Sequence, residues 1–361
     1  MTTCGTTAEP RNMNTLPSKP NSYDLLRLIT ATAVLVCHQF QVLGQPFLPT
    51  LFLPWEPGFF AVMIFFALSG RLITLSWERD PQIVNFLLKR CLRIFPALIL
   101  VVTLTVFIVG PAFTTKGIRV YFSTAATWAY FKSAILWPGH SWLPGVFETN
   151  PYPRAVNAPL WTLPVEFALY ISVLAAGVLG FLRRKHMISI GFLWLALLSA
   201  VAPFTGNVNL MNNTLLATTF WWGAWLRVTF QDGQLRTKTD LLLGLAALMI
   251  LATIGPYSLT RTGLVVLAGG LVWLASLIQL GDRITSRLGD LSYGVYIFGY
   301  PVQQSLVAAF GKDAFSYLEF LAMTCGITFP LALLSWHLVE KRFIRMKAGF
   351  LYPPIVASPK N

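Results

Sequence analysis

Apolar residues gather along the chain into runs of roughly 20, the length an α-helix needs to cross the hydrocarbon of a bilayer. Short breaks rich in charge or in Pro, Gly and Asn separate the runs, which fall near 23–44, 58–77, 92–112, 158–181, 188–204, 213–230, 240–256, 262–280, 289–311 and 316–337. The pattern predicts an all-α integral membrane protein, a bundle of about ten transmembrane helices. One sizeable loop, about 114–157, lies between the third and fourth runs. Its piece 121–137 is apolar enough to lie at the interface, and the remainder is rich in Pro, Gly and Asn. Ahead of the first run, residues 1–20 are polar and include Pro10, Pro17 and Pro20. They read as a disordered cytoplasmic tail with no cleavable signal peptide. A membrane domain over 21–345 and a short cytoplasmic tail over 346–361 complete the division.

Composition agrees with this pattern: of 361 residues, 55% are hydrophobic and only 11% charged. That is too little polar surface for a water-exposed sphere of this size, and a soluble enzyme is excluded. The 27 Lys and Arg against 14 Asp and Glu give a formal charge of +13, which in a soluble protein would point to nucleic acid. Here the charge sorts by side. With a cytoplasmic N-terminus, that side takes Arg27, the 71–93 group, Arg183-Arg184-Lys185, Arg227, Arg236, Lys238, Arg283, Arg287 and the C-terminal group. The other side takes only Lys116, Arg119, Lys132, Arg154, Arg261 and Lys312. The excess is the positive-inside signature, both termini are expected in the cytoplasm, and no nucleic-acid partner is expected. Cys4, Cys37, Cys91 and Cys325 stand singly, suiting buried or free thiols better than disulfides or a zinc site, and no metal is expected.

An ionisable side chain inside a span costs roughly 2.5–3.5 kcal/mol on insertion scales, so each one is a candidate for function. Arg27 and His38 lie eleven residues apart in the first run. At about 100° per residue they share one helix face, about 16 Å apart along the axis. His38 is the one histidine that falls well within a predicted span; the alternative is a histidine that only hydrogen-bonds a neighbouring helix. Asp24, one turn before Arg27, is placed to pair with it. Arg90 and Arg93 are three apart at the cytoplasmic start of the third run and point the same way. Guanidinium forks suit phosphate, although topological anchoring is the simpler account on sequence alone. Glu166 sits about two turns into the fourth run, where a carboxyl must be protonated, paired or facing water. The G-x-S-x-G, H-E-x-x-H, P-loop, G-x-G-x-x-G and H-x4-D patterns are all absent, which argues against a serine hydrolase or a nucleotide-driven pump.

Taken in chain order, these pieces resemble the acyltransferase type 3 family, bacterial integral-membrane O-acyltransferases that act on surface polysaccharides and related glycans. The R-x10-H pair is Arg27 and His38; F-F-x-x-S-G is Phe65-Phe66 to Ser69-Gly70; R-x-x-R-x-x-P is Arg90, Arg93 and Pro96. Asn150-Pro-Tyr-Pro and then Leu160-Trp161-Thr162-Leu-Pro-Val-Glu166 resemble the family's N-P-Y-P and L-W-T-L-P-x-E stretches. Ser292-Tyr293-Gly-Val-Tyr296 resembles its S-Y-x-x-Y segment, and the likeness covers roughly 21–345. Two departures stand out. Ala158-Pro159 replaces a frequent Gly-Ser, and Gly299 stands where many members carry a histidine, so that position supplies no base here.

The resemblance implies a location in the bacterial cytoplasmic membrane and no permanently bound cofactor. It implies cytoplasmic acyl-CoA, usually acetyl-CoA, as co-substrate and a carbohydrate or lipid-linked glycan as acceptor. His38 would act as general base or transient acyl carrier, with Glu166 or Asp24 orienting or relaying protons. Arg27, Ser69, Gly70, Arg90, Arg93, Trp161, Thr162, Tyr293 and Tyr296 would bind substrate. The competing function is a transporter or flippase for a lipid-linked glycan, which would also use buried His, Glu and Arg. A purely structural subunit would leave the buried charge unexplained.

Overall fold

The computed structural model describes residues 22–46, 55–139, 141–184, 186–231, 234–278 and 289–351. The predicted N-terminal tail lies outside them. Each apolar run corresponds to a long helix. These are α1 Tyr23–Val42, α2 Pro57–Arg79, α3 Ile83–Leu104, α4 Thr162–Val178, α5 Met187–Val201 and α6 Val208–Thr229, then α7 Lys238–Thr253, α8 Ser258–Leu277, α9 Ser292–Phe310 and α10 Tyr317–Ser335. Helix α10 continues through a π-helical turn, Trp336–Glu340, into α11 Lys341–Leu351, so the predicted C-terminal tail begins inside a helix. Among the described residues the extended pairings are a two-residue ribbon, Phe230–Gln231 with Gln234–Leu235, and an isolated bridge between Thr114 and Val146. Among the described residues seven helices are long and apolar enough to cross a membrane. The exceptions have visible causes. Helix α7 is only 16 residues long, α6 opens on Asn209, Asn212 and Asn213, and α9 carries Gln303 and Gln304.

The ends follow local chemistry. Pro57 opens α2, Asn207 caps α6 by accepting from the Leu210 N–H at 3.0 Å, and Ser316 and Glu319 form a reciprocal capping box on α10. The largest departure from the sequence reading is the start of α3, nine residues earlier than the predicted run. Phe86 is fully buried there, so Ile83 to Leu87 join the helix and Lys89, Arg90 and Arg93 lie within it instead of at its mouth. Further along, α3 passes through a π-helical turn, Thr105–Val109, where the buried Tyr121 of the 114–157 loop donates its hydroxyl to the Val106 carbonyl at 2.9 Å. The loop's interfacial stretch is two-sided, with Tyr121 and Tyr130 buried and Trp128, Ile135 and Trp137 exposed.

Packing centres on α2, which lies along α6 at backbone contact. A Cβ on Gly70 would strike the Phe220 carbonyl, and one on Gly223 would strike the Ala67 carbonyl. Gly70→Ala should therefore force the two helices apart and destabilise the fold by about 1–3 kcal/mol, the range for overpacking. A lowered thermal midpoint of the purified variant checks this. Helix α1 packs between α2 and α9, and α3 and α4 close the same side, so five helices converge on one interior space.

Candidate active site

That space is a cavity of about 290 Å³ lined on α2 from Val62 to Ile73. One wall is cationic: Arg27 from α1 and Lys89, Arg90 and Arg93 from α3. The lining also includes Ser69, Thr162, Glu166 and Tyr170, with Ser292, Tyr293 and Tyr296 of α9 and Ile344 of α11, and the Tyr170 ring lies 5.9 Å from the Arg90 guanidinium. Glu166 is held by two donors, the Ser69 hydroxyl at 2.9 Å and the Tyr170 hydroxyl at 2.5 Å, both on Oε1. Thr162 and Tyr296 share a hydrogen bond at 2.6 Å, and Tyr293 donates to the Ile94 carbonyl at 3.0 Å. Their polar ends are thus fixed in place before any substrate arrives.

The cations differ in what already neutralises them. Arg93 sits 2.5 Å from Asp290 and 3.4 Å from Glu340, with Tyr293 and Trp336 rings beneath its guanidinium. Arg27 reaches Asp24 at 3.4 Å and Asp290 at 3.5 Å, and Lys89 pairs with Asp80 at 2.5 Å. Among the described residues Arg90 makes no ion pair. Its Nη2 lies 3.4 Å from the Ser76 hydroxyl, the Phe86 and Tyr170 rings flank it, and its buried Nε has no partner. A buried guanidinium without a carboxylate is costly unless an anion completes it.

Asp290 lies in the turn ahead of α9. Burial works to raise its pKa, but Arg93, Arg27 and two bonds from Ser292 more than offset that and hold the carboxyl below the usual carboxylate range.

The predicted residues divide into two groups. The cavity brings together Arg27, Ser69, Arg90, Arg93, Thr162, Glu166, Tyr293 and Tyr296. Four others lie off its walls. Asp24 is half-exposed beside Arg27, Gly70 serves the α2–α6 contact, and Trp161 stacks on Phe59 with 44% of its surface exposed. His38 is the fourth. It shares a face with Arg27 as the eleven-residue spacing requires: Arg27 meets Asp290 just ahead of α9, and His38 meets Tyr300 on α9 edge-to-face at 5.2 Å. Tyr300 is one turn beyond the cavity-lining Tyr296, so His38 stands past the inner end of the cavity. Its Nδ1 lies 3.3 Å from the Gln41 amide oxygen, and with Nδ1–H donating there, Nε2 keeps its lone pair. A Cβ on Gly299 would meet the Cδ1 of Leu35 on α1, so a side chain there requires Leu35 to give way.

Sequence reasoning missed Tyr170, Asp290, Glu340 and Lys89. Tyr170 was readable as the i+4 neighbour of Glu166, and Asp290 as the acid two residues before the S-Y-x-x-Y segment. Ionisable groups are also buried in the later helices. Arg261 is fully buried on the carbonyls of Ser199 and Ile254, each at 2.5 Å, which satisfies the ends of α5 and α7. Asp240 accepts from Ser189 at 2.7 Å and meets His186 at 3.0 Å, tying α7 to α5. His337 lies within the apolar Tyr317–Met346 helix with its side chain exposed, so His38 is not alone in a span. The N-P-Y-P loop is anchored to α9: Asn150 donates to Gln304 at 2.7 Å and Asn157 to the Ile297 carbonyl at 2.9 Å. Among the described residues no group of His, Cys, Asp and Glu converges as metal ligands would.

Comparison with known proteins places this arrangement. A family model described as an acyltransferase domain matches residues 21–338. An O-acetyl transferase of Shigella phage Sf6 is 32% identical over 336 residues, covering 90% of this chain and 96% of that protein. Nodulation protein 10 of Rhizobium leguminosarum bv. viciae is 28% identical over 368 residues, covering 92% and 95%. No solved structure matches. A family match over most of the length, on a chain with seven helices able to cross a membrane, means that this multi-pass membrane enzyme belongs to the acyltransferase type 3 family.

Proposed function

We propose that the enzyme moves an acetyl group from cytoplasmic acetyl-CoA to a hydroxyl of a cell-envelope carbohydrate. It does so within a bundle of about ten spans, both termini cytoplasmic, in the bacterial inner membrane. The observation that carries the reading is one cavity lined by Arg27, Arg90 and Arg93 together with a hydrogen-bonded Glu166. Arginine forks bind phosphate oxygens, and acetyl-CoA is a polyphosphorylated donor. Positive-inside sorting puts the same arginines on the cytoplasmic side, where that donor is made. The acetyl group is supported by the phage relative's name, O-acetyl transferase.

In this reading the donor's phosphates meet Arg90 first, with Arg27 and Arg93 completing the cationic wall, and the thioester arm runs between α2 and α9 toward His38. The acceptor hydroxyl arrives from the opposite end. Its oxygen attacks the thioester carbonyl carbon while Nε2 of His38 takes the hydroxyl proton, the carbon–sulfur bond breaks, and the imidazolium returns the proton to the departing thiolate. Glu166, fixed by Ser69 and Tyr170, orients the donor, and Asp24 holds Arg27. Apolar Val62, Phe66 and Leu163 line the cavity and limit the water that can reach the thioester.

The test is release of free coenzyme A by purified protein, with and without cell-envelope polysaccharide. Turnover that rises with the polysaccharide supports the reading, and none from folded protein overturns it. Arg90→Ala should raise KM for acetyl-CoA by about tenfold or more, the value of one charge-assisted anion contact, with little change in abundance. Unchanged KM would make Arg90 a topological anchor.

A further inference from the structure

At the end of the bundle away from Arg27, Arg90 and Arg93, four aromatic rings lie in file. Tyr257 stands edge-on to Trp55 at 6.3 Å, Trp55 stacks on Phe59 at 6.3 Å, and Phe59 stacks on Trp161 at 6.5 Å with planes 10° apart. They come from four places in the chain: the segment before α2, the first turn of α2, the 3-10 turn before α4 and the turn before α8. The rings at the two ends of the file are open, Trp161 at 44% and Tyr257 at 52% exposure. Tyr257 also sits in the left-handed region at φ 55°, a conformation disfavoured for a bulky residue and held here with its ring against Trp55. Polar groups edge the file: Glu56 is exposed beside Trp55, and Asn212 accepts the Trp55 indole N–H at 3.0 Å, leaving its own amide N–H groups as donors.

This file adjoins the chemistry already described. Phe59 precedes Ser69 by ten residues on α2, about 15 Å of helix, which puts it at the end of the cavity opposite the cationic wall. Gly58 packs on Cys37, so the first turn of α2 is level with His38. Trp161 directly precedes Thr162, which lines the cavity. An interfacial aromatic belt would instead set rings singly around the perimeter against lipid, and would not place a carboxylate among them.

We propose that Trp55, Phe59, Trp161 and Tyr257 form the acceptor platform. A pyranose ring lies with its apolar C–H face on the exposed rings while Glu56 and Asn212 hydrogen-bond its hydroxyls, and one hydroxyl is presented to His38. Aromatic faces supply area without a fixed hydrogen-bond pattern, and the polar edge supplies orientation. This assignment rests on the reading that the acceptor is a carbohydrate.

Saturation-transfer NMR of purified protein in lipid nanodiscs tests it without acetyl-CoA, with methyl glycosides of hexoses, 6-deoxyhexoses and N-acetylhexosamines as probes. The platform predicts saturation of sugar ring protons by the wild type. It predicts an affinity loss of about tenfold in Tyr257→Ala and in Trp161→Ala, a strength typical of an aromatic contact. Trp194→Ala, which removes an exposed ring on α5 outside the platform, should bind as wild type. Equal binding by Tyr257→Ala and wild type, or no saturation with any glycoside, overturns the assignment. Turnover separates it from the acyltransfer reading. Glycoside binding without coenzyme A release leaves the platform standing and the reading failed; polysaccharide-dependent release with acceptor KM unchanged in both alanine variants does the reverse.

Discussion

His38→Ala should lower kcat for acetyl transfer by about 10²–10⁴-fold, the usual contribution of a positioned general base. A sugar hydroxyl is a poor nucleophile until its proton has somewhere to go, and at the inner end of the cavity the imidazole is the group with a free lone pair. Gln41 fixes which nitrogen carries it, since Nδ1 faces the Gln41 amide oxygen at 3.3 Å. Position makes the loss selective. The cationic wall lies about 16 Å away along α1, so KM for acetyl-CoA should stay near wild type. A steady-state comparison of kcat and KM on protein of wild-type thermal stability checks both halves, and a His38→Ala enzyme with near wild-type kcat would remove the histidine from the mechanism.

The second large effect is structural. Asp290→Ala should destabilise the protein by about 3–5 kcal/mol, because it strips a shared carboxylate from two arginines at once. Asp290 lies 2.5 Å from Arg93 and 3.5 Å from Arg27, and its side chain is only 14% exposed. Glu340 remains near Arg93 at 3.4 Å, but Arg27 keeps only the half-exposed Asp24. Thermal unfolding should show the drop, and Arg27→Met in the same chain should recover part of it by removing the guanidinium left with only Asp24. The sign with pH follows from the same contacts. The folded carboxyl is held below its unfolded value of about 3.9, so its contribution is present above that value and lost as pH falls through the folded one. The difference in stability between wild type and Asp290→Ala should therefore shrink in strong acid and be full at neutral pH.

Much of this was legible in the chain because membrane insertion writes helices as long apolar runs. Each predicted run has its helix, and the Arg27–His38 spacing put both side chains on one face, which in the structure meets Asp290 and Tyr300 at α9. The start of α3 was not legible, since Ile83, Val84 and Phe86 are separated from the main run by Lys89, Arg90 and Arg93 and only the burial of Phe86 reveals that the helix has begun. Asp290 and Glu340 escaped for a different reason. Their partner Arg93 is 197 and 247 residues away, and no local pattern marks a pairing made only when α3, α9 and α10 come together. Gly70 shows the converse: the F-F-x-x-S-G segment was visible, but the backbone of α6 decides that Ser69 faces the cavity while Gly70 faces a helix. The aromatic file was invisible for the same reason, apart from Trp161.

The measurement that tests the account most directly is transfer of label from radioactive acetyl-CoA to cell-envelope polysaccharide by purified protein in nanodiscs. The account predicts label in alkali-labile ester on the polysaccharide, dependent on the protein and lost in His38→Ala. Label that stays in acetyl-CoA or leaves as free acetate, whatever polysaccharide is offered to folded wild-type enzyme, would contradict it.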